Sequence, residues 1–458
     1  MHYIINSYFL MSGYRDYRFG LSNLYTGDAC FFTSRQYKII QNCNGKNDLD
    51  QELLKPEEKE FYSWLLKNYF IRECSKEEEL LPEQEYRIYP CIYKDSVHFS
   101  ITGHCNCRCR HCFVSAPHSR FAELPFDDCI HILDELQRCG IRKIGLTGGE
   151  PLCHPNFRRI VEEISKRRLV LSTLYTNGIL LNDEIIALFK EHVQSPEVQI
   201  SFDGLDTHDW IRGVEGSEKK TVDAIKRCVN SGLFTHISMM LYRDNLDSMM
   251  KNISFFDSLG VKSIKISPVE DRGEWKVYQK SHGITYEEAY EAFLKVIPEL
   301  LKLKLKARIE MGGFFIYDSK KGIIDSSYEK RCNSKNEKNY LLCESLKQSF
   351  YINSDGIIYP CVSMIDEKHD ENMNILKRPL DEILDDPALS GIGNKTAADF
   401  FKENSECDSC EYKHLCIGGC RAKALMDGNG MMGIDKQTCA YFKDGWKLRK
   451  DKILADLE

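Results

Sequence analysis

Between residues 96 and 310, short apolar and β-branched runs alternate with stretches whose apolar positions recur every three or four residues. The short runs are 97–102, 143–147, 169–175, 198–203, 236–242 and 263–268, each of strand length. The periodic stretches predict helices over 127–138, 156–167, 183–191, 221–231 and 246–259, with a further helix over 285–303. In the first helix Ile130, Leu133 and Leu136 fall near helical spacing. Asp127 and Asp128 stand at its N-terminal end, where negative charge opposes the helix dipole favourably. Strand and helix alternating at this rhythm imply an α/β fold on a parallel sheet. Six repeats fit a partial (β/α)6 barrel, with chemistry at the C-terminal ends of the strands. A doubly wound open sheet shares the same pattern.

The flanks read differently. Residues 2–10 and 14–25 are aromatic-rich and β-prone, with Ser12-Gly13 as a turn between them, and 29–33 is a third strand. Ser34 is placed to cap a helix over 36–43, with Tyr37, Ile39 and Ile40 near one face. A second helix over 57–69 carries Phe61, Leu65 and Leu66 as its apolar stripe, and the acidic, Pro-containing stretch 76–90 reads as a linker. Further on, Asn353-Ser354-Asp355-Gly356 predicts a hairpin between 350–352 and 357–359. The charged tail 441–457 reads as a helix with Trp446 and Leu448 turned inward. Four units follow: 1–95, 96–310, 311–440 and 441–458.

Composition narrows the function. A net charge of −7 over 458 residues gives no case for nucleic acid as main partner. No run approaches a membrane span, and the N-terminus lacks a basic start and a small-residue cleavage site, so a cytoplasmic protein is expected. Twenty cysteines without a secretory signal point to metal or cluster binding rather than disulfides.

The densest chemistry follows the first barrel strand. Cys105, Cys109 and Cys112 are spaced C-x3-C-x2-C. Three thiolates on one loop can bind three irons of a [4Fe–4S] cube, leaving the fourth iron open for chemistry. A zinc knuckle is the competing reading, with His104 or His111 as fourth ligand. Cys107 lies between the ligands and leaves the choice of triplet open. After the second strand comes Thr147-Gly148-Gly149-Glu150-Pro151, whose glycines let backbone approach a ligand closely. Its fixed carboxylate can accept from an ammonium. Thr176-Asn177-Gly178 follows the third strand, and Ser201-Phe202-Asp203-Gly204, His208-Asp209 and Arg212-Gly213 follow the fourth. For Asp203 and Arg212 a loop salt bridge is the plain alternative.

These loops, in this order, resemble the radical S-adenosylmethionine (SAM) superfamily. The resemblance implies that the open iron chelates the amine and carboxylate of SAM, and that one electron from the cluster cleaves SAM to a 5′-deoxyadenosyl radical. It assigns Gly148, Gly149 and Glu150 to the methionine amine, and Ser201 to the ribose or carboxylate end. Asn177 joins this SAM-binding set. Arg212 is assigned to the carboxylate, and the backbone of His111 to the adenine.

In the third region Cys343 and Cys361 bracket Gly356. Cys407, Cys410, Cys416, Cys420 and Cys439 follow, with Gly418 and Gly419 between them. This pattern resembles the SPASM extension, which implies two auxiliary clusters and so three [4Fe–4S] clusters in all. By position Cys343, Cys361 and Cys420 hold the first, with Cys332 as its fourth ligand or a substrate or water in that place. Cys407, Cys410, Cys416 and Cys439 hold the second.

The N-terminal strands and helices resemble the winged-helix element of peptide maturases, which binds a leader by strand addition. Together these imply an oxidoreductase acting on a ribosomally made precursor peptide, with an electron donor such as flavodoxin or ferredoxin. A thioether between a cysteine sulfur and a carbon is the first product considered. Carbon–carbon cross-linking, epimerisation and formylglycine formation by a sulfatase-maturing enzyme use the same parts. An iron–sulfur or zinc scaffold is the non-enzyme alternative. Asp203, Asp271 and Glu310 lie near predicted strand ends, and nothing in the sequence ranks them as a base.

Overall fold

The computed structural model describes residues 2–48, 54–76, 78–118, 120–325, 332–365 and 370–457. The N-terminal region holds β1 (His2–Ile5), β2 (Phe9–Gly13), β3 (Phe19–Asn23), β4 (Ala29–Phe32), β5 (Ile71–Cys74) and β6 (Arg87–Ile88). β1 pairs with β5, and the other four form a sheet in the order β4-β3-β2-β6. Helices Ser34–Gln41 and Pro56–Lys67 bury Tyr37, Ile40, Tyr62 and Leu65 against Tyr3, Ile5, Met11 and Leu21. This core is separate from the main one.

Three local expectations change here. Ser12 and Gly13 lie inside β2, and the chain turns at Tyr14–Arg18, where Tyr14 N–H donates to the Arg18 carbonyl at 2.9 Å. The reason is packing: a Cβ on Gly13 would meet Tyr86 Oη at 2.3 Å, so this glycine makes room for a ring rather than a turn. The first helix is capped by Thr33, not Ser34, in a reciprocal box with Gln36. The stretch read as a linker is partly built in. Gln84 is buried and its amide donates to the Ile5, Asn6 and Phe9 carbonyls, while β6 pairs parallel to β2. Glu77 of that stretch lies outside the described residues.

The barrel strands are β7 (Ser96–Ser100), β8 (Lys143–Thr147), β9 (Val170–Thr176), β10 (Glu197–Ser201), β11 (Phe234–Leu241) and β12 (Ser263–Pro268). β13 (Arg308–Met311), β14 (Phe315–Asp318) and β15 (Ile323–Asp325) extend one edge. β16 (Ser349–Ile352) and β17 (Ile358–Tyr359) extend the other, β16 running parallel to β7. Strands β7 to β13 are parallel neighbours in chain order. A doubly wound sheet reverses its order partway; here each crossover advances the same way, which winds a partial barrel. β13 crosses the 310/311 boundary drawn from the sequence, and β16 brings the third region into the same sheet. One continuous hydrophobic core joins Val97, Ile144 and Ile200 to Ile352, Tyr441 and Trp446.

The tail forms the helix Trp446–Leu457. Trp446 is buried against Tyr290, but Leu448 is 61% exposed, contrary to its predicted inward face. Among the described residues no helix is long and apolar enough to cross a membrane.

Candidate active site

Cys105, Cys109 and Cys112 lie on the loop after β7, at the C-terminal end of the sheet. Three neighbouring segments hold this loop by its backbone. Glu150 N–H donates to the His104 carbonyl at 2.8 Å. Arg108 and Arg110 N–H groups donate to the Arg212 and Ile211 carbonyls at 3.0 and 2.8 Å. Glu274 N–H donates to the Cys112 carbonyl at 3.1 Å. Each segment meets the loop through a glycine that tolerates no side chain. A Cβ on Gly149 would sit 2.4 Å from the His104 carbonyl oxygen, on Gly213 2.4 Å from that of Arg108, and on Gly273 2.5 Å from that of Cys112. Gly213 and Gly273 also have φ of +65° and +55°. Gly273 was not singled out from the sequence, because a lone Asp-Arg-Gly triplet reads as any turn.

The sulfurs sit among donors. Cys107 N–H approaches Cys105 Sγ at 3.3 Å, Ala116 N–H approaches Cys112 Sγ at 3.4 Å, and Arg212 Nη1 approaches Cys109 Sγ at 3.7 Å. A hydrogen bond from Cys107, together with the Arg212 charge, draws the Cys109 thiol down to about 7 against the cost of burial. Cys107 itself is buried, and its bonds to Cys105 and Cys109 hold it protonated. Burial pushes Cys112 up to about 12.

The S-x-D-G…H-D…R-G stretch has a structural account. Asp203 is fully buried; one carboxylate oxygen accepts from Met240 N–H at 2.8 Å and the other lies 2.7 Å from Arg212 Nε. His111 Nε2 stands 3.7 Å from that second oxygen, and burial draws His111 down to about 4. His208 stacks on Phe202 with centroids 4.4 Å apart and accepts from Asp203 N–H at 3.1 Å. Asp209 accepts from Gly216 N–H, Ser217 Oγ and Glu218 N–H, tying down the start of helix Ser217–Asn230. Arg212 and Asp203 form the loop salt bridge. Asp203 is thereby partnered on both carboxylate oxygens.

Glu150 is held by three donors. It is 1% exposed, and its carboxylate accepts from Thr176 Oγ1 at 2.7 Å, Asn177 N–H at 2.7 Å and Leu152 N–H at 3.2 Å. It couples the loops after β8 and β9. Asn177 Nδ2 in turn donates to Asn106 Oδ1 at 2.6 Å and reaches Cys105 Sγ at 3.9 Å. Ser201 ends β10, half-buried and beside Ser238. Gly148 has φ of +156°, and a Cβ there would lie 2.5 Å from the Thr102 carbonyl.

Burial, opposed by these hydrogen bonds, raises the Glu150 carboxyl from 4.5 to about 7. A raised carboxyl contributes stability that is present below the unfolded value and lost as pH climbs through the folded one. The unfolding free energy of the wild type relative to Glu150→Gln should therefore fall between pH 4.5 and 7, by about 3 kcal/mol. Urea unfolding at intervals across that range measures it; parallel curves for the two proteins would refute it.

In the third region Cys407, Cys410, Cys416 and Cys439 line one cavity of about 110 Å³. Cys343 and Cys361 lie together on Leu346, Met364 and Ala422, and the charges of Cys420 and Cys343 act on Cys361. Cys332 packs with Leu342, the residue before Cys343, and with Phe400 and Ile417. This apolar group buries the Cys332 thiol. Sequence reasoning missed two supports. Buried Arg421 donates to the carbonyls of Gly418, Gly419, Met431 and Gly433. Asp435 accepts from Cys420 N–H at 2.9 Å. Neither residue stands in a motif that marks it.

The donor set fits clusters. Soft thiols stand in three groups, seated by backbone donors that suit thiolate charge. Among the described residues no three His, Cys, Asp or Glu side chains converge as on a single ion. A cube instead spreads its thiolates, one to each iron corner.

Residues 99–256 match the radical SAM superfamily, and residues 343–411 match an iron–sulfur cluster-binding domain, SPASM. The chain carries a radical SAM domain followed by a SPASM domain. It is 24% identical over 348 residues to the antilisterial bacteriocin subtilosin biosynthesis protein AlbA of Bacillus subtilis, covering 76% of this chain and 70% of that one. It is also 24% identical to the sporulation killing factor maturation protein SkfB of the same organism, covering 69% and 68%. Among solved structures, Streptococcus suis SuiB bound to precursor peptide SuiA superposes with a TM-score of 0.65 at 15% identity, covering 95% of this chain and 99% of that one. Native anSMEcpe with bound AdoMet and Cp18Cys peptide gives 0.57 at 16% identity, covering 79% and 99%. As a radical SAM/SPASM protein, this enzyme belongs with SAM and [4Fe–4S] cofactors.

Proposed function

We propose that this radical SAM enzyme modifies a ribosomally made precursor peptide, forming a thioether from a peptide cysteine. The observation that carries the reading is one sheet bearing both kinds of site: the open three-cysteine loop follows β7, and β16, beside β7, leads into the auxiliary cysteines. When bound, the clusters and SAM supply the carbon radical and an acceptor for the electron left on the product. The chain's own part is to seat them. Cys105, Cys109 and Cys112 hold the first cluster, and Cys407, Cys410, Cys416 and Cys439 a closed one. Cys343, Cys361 and Cys420 hold a third whose last position is left to a substrate sulfur or water. Gly148, Gly149, Asn177, Ser201 and the His111 backbone border SAM, while Glu150 and Arg212 fix the loops that carry them. A small acidic carrier such as flavodoxin or ferredoxin supplies the electron.

The N-terminal region supports a peptide partner. β4 pairs on one side with β3 and is an edge of its sheet. Beside it Phe32, Phe61, Trp64 and Phe70 form an aromatic group, with Trp64 41% exposed. An extended leader adding to this edge gains main-chain hydrogen bonds and an aromatic shelf. Trp64→Ala should weaken binding of the leader roughly tenfold in fluorescence anisotropy, in line with a buried aromatic anchor; an unchanged Kd would count against this edge. The AlbA, SkfB and SuiB relatives favour a peptide maturase. The anSMEcpe likeness favours formylglycine formation, but it spans 79% of this chain against 95% for SuiB.

The test is anaerobic incubation with cysteine-containing peptides encoded beside the gene. A loss of two hydrogens with a cysteine no longer alkylated by iodoacetamide supports the thioether. The same mass loss with a free cysteine indicates a carbon–carbon bond. No change with any such peptide, together with turnover of a sulfatase peptide, would replace this reading with the alternative.

A further inference from the structure

The far end of the barrel, at the N-terminal ends of the strands, carries a charge arrangement that the reaction does not use. Here the N-terminal region meets the sheet. Tyr14 Oη donates to the Gly140 carbonyl at 3.1 Å, and the Tyr89 ring rests where a Cβ on Gly140 would lie 2.5 Å away. Between the two units is a cavity of about 70 Å³ lined by Glu83, Arg87, Tyr89, Arg142, Arg167 and Arg168, among others. A water takes roughly 30 Å³ of liquid, so the space suits a group the size of a carboxylate or phosphate.

Four guanidinium groups and one carboxylate face it. Arg168 is paired with that carboxylate, Glu83, at 2.5 Å. Arg167 is paired outward, with Asp134 at 2.7 Å and with Glu163. Arg87 and Arg142 have no ion pair among the described residues. Arg142 is only 8% exposed. One of its Nη atoms donates to the Arg168 carbonyl, and its Nε–H is buried without an acceptor. Neutral Tyr14 and Tyr89 surround it rather than counter-charge. A buried guanidinium without an opposite charge is costly, and its planar fork matches a carboxylate or phosphate.

We propose that this cavity is an oxyanion site. The anion bridges Arg87 from the N-terminal region to Arg142 from the barrel, and so fastens one unit to the other. The oxyanion is either free phosphate or the acidic side chain of a bound peptide; both present the same oxygen geometry.

Thermal unfolding of the reconstituted full chain tests this. Sodium phosphate is compared with sodium chloride at equal ionic strength. In a second arm a blocked Ala-Glu-Ala peptide is compared with Ala-Gln-Ala. The wild type should show a saturable rise in midpoint with phosphate or with the glutamate peptide, and the more effective of the two identifies the source. Arg142→Gln should raise the half-saturating concentration at least tenfold. Arg87→Gln, at an exposed side chain, should weaken it in the same direction and carries the test if Arg142→Gln does not fold. No rise with either probe beyond its control, or an equal rise in wild type and both variants, would overturn the proposal.

Discussion

Replacing Cys105, Cys109 and Cys112 together with alanine is expected to lower 5′-deoxyadenosine formation to the level of a protein-free control. The expectation follows from the loop's construction. The three thiols stand on one segment clamped by the Gly149, Gly213 and Gly273 loops, so the triple variant removes the ligand set while the clamped loop keeps its place. The iron held after anaerobic reconstitution should fall by the share of one cluster, while the third region keeps its own. Alanine at Cys407, Cys410, Cys416 and Cys439 should also lose iron, but should impair peptide modification more than SAM cleavage. If the first triple variant still produced 5′-deoxyadenosine, the assignment of this loop would be wrong.

Asp203→Asn is expected to destabilise the barrel by about 3–5 kcal/mol, because it leaves the Arg212 guanidinium buried beside an amide. Asp203 is fully enclosed, and its pull offsets the burial that would otherwise lower Arg212. For a unit of this size that corresponds to a fall in thermal midpoint on the order of 10 °C. The double variant Asp203→Leu with Arg212→Met should recover much of the loss, since both buried charges are then gone. It should not recover SAM cleavage, because the Arg212 guanidinium also supports Cys109. A single variant that unfolds like the wild type would refute the buried-pair account. Asp203→Glu, with the charge restored at a longer reach, should fall between the two.

Much of this was legible because its causes are local. The barrel strands and helices are written in apolar periods of two and near 3.6, which survive without knowledge of neighbours. The cysteine spacing is legible for a similar reason: ligands on one short loop must be close in sequence. The turn misplaced at Ser12-Gly13 and the inward face given to Leu448 have the opposite origin. In each, a partner remote in the chain decided the outcome, Tyr86 for Gly13 and the Tyr290 side of the fold for Trp446.

Sequence alone determined that this chain winds an α/β core with a thiol loop after its first core strand, and that its late cysteines fall into sets. Tertiary structure decided what each charged motif residue does. Glu150 and Arg212 look like ligands for a small molecule in one dimension, yet they face Thr176, Asn177 and Asp203 in three. Cys332 and Cys343 are near in sequence but pack in different apolar groups. The physical reason is that a buried charge or thiol is satisfied by whichever partner the packing brings within about 3 Å, and sequence order does not record that distance.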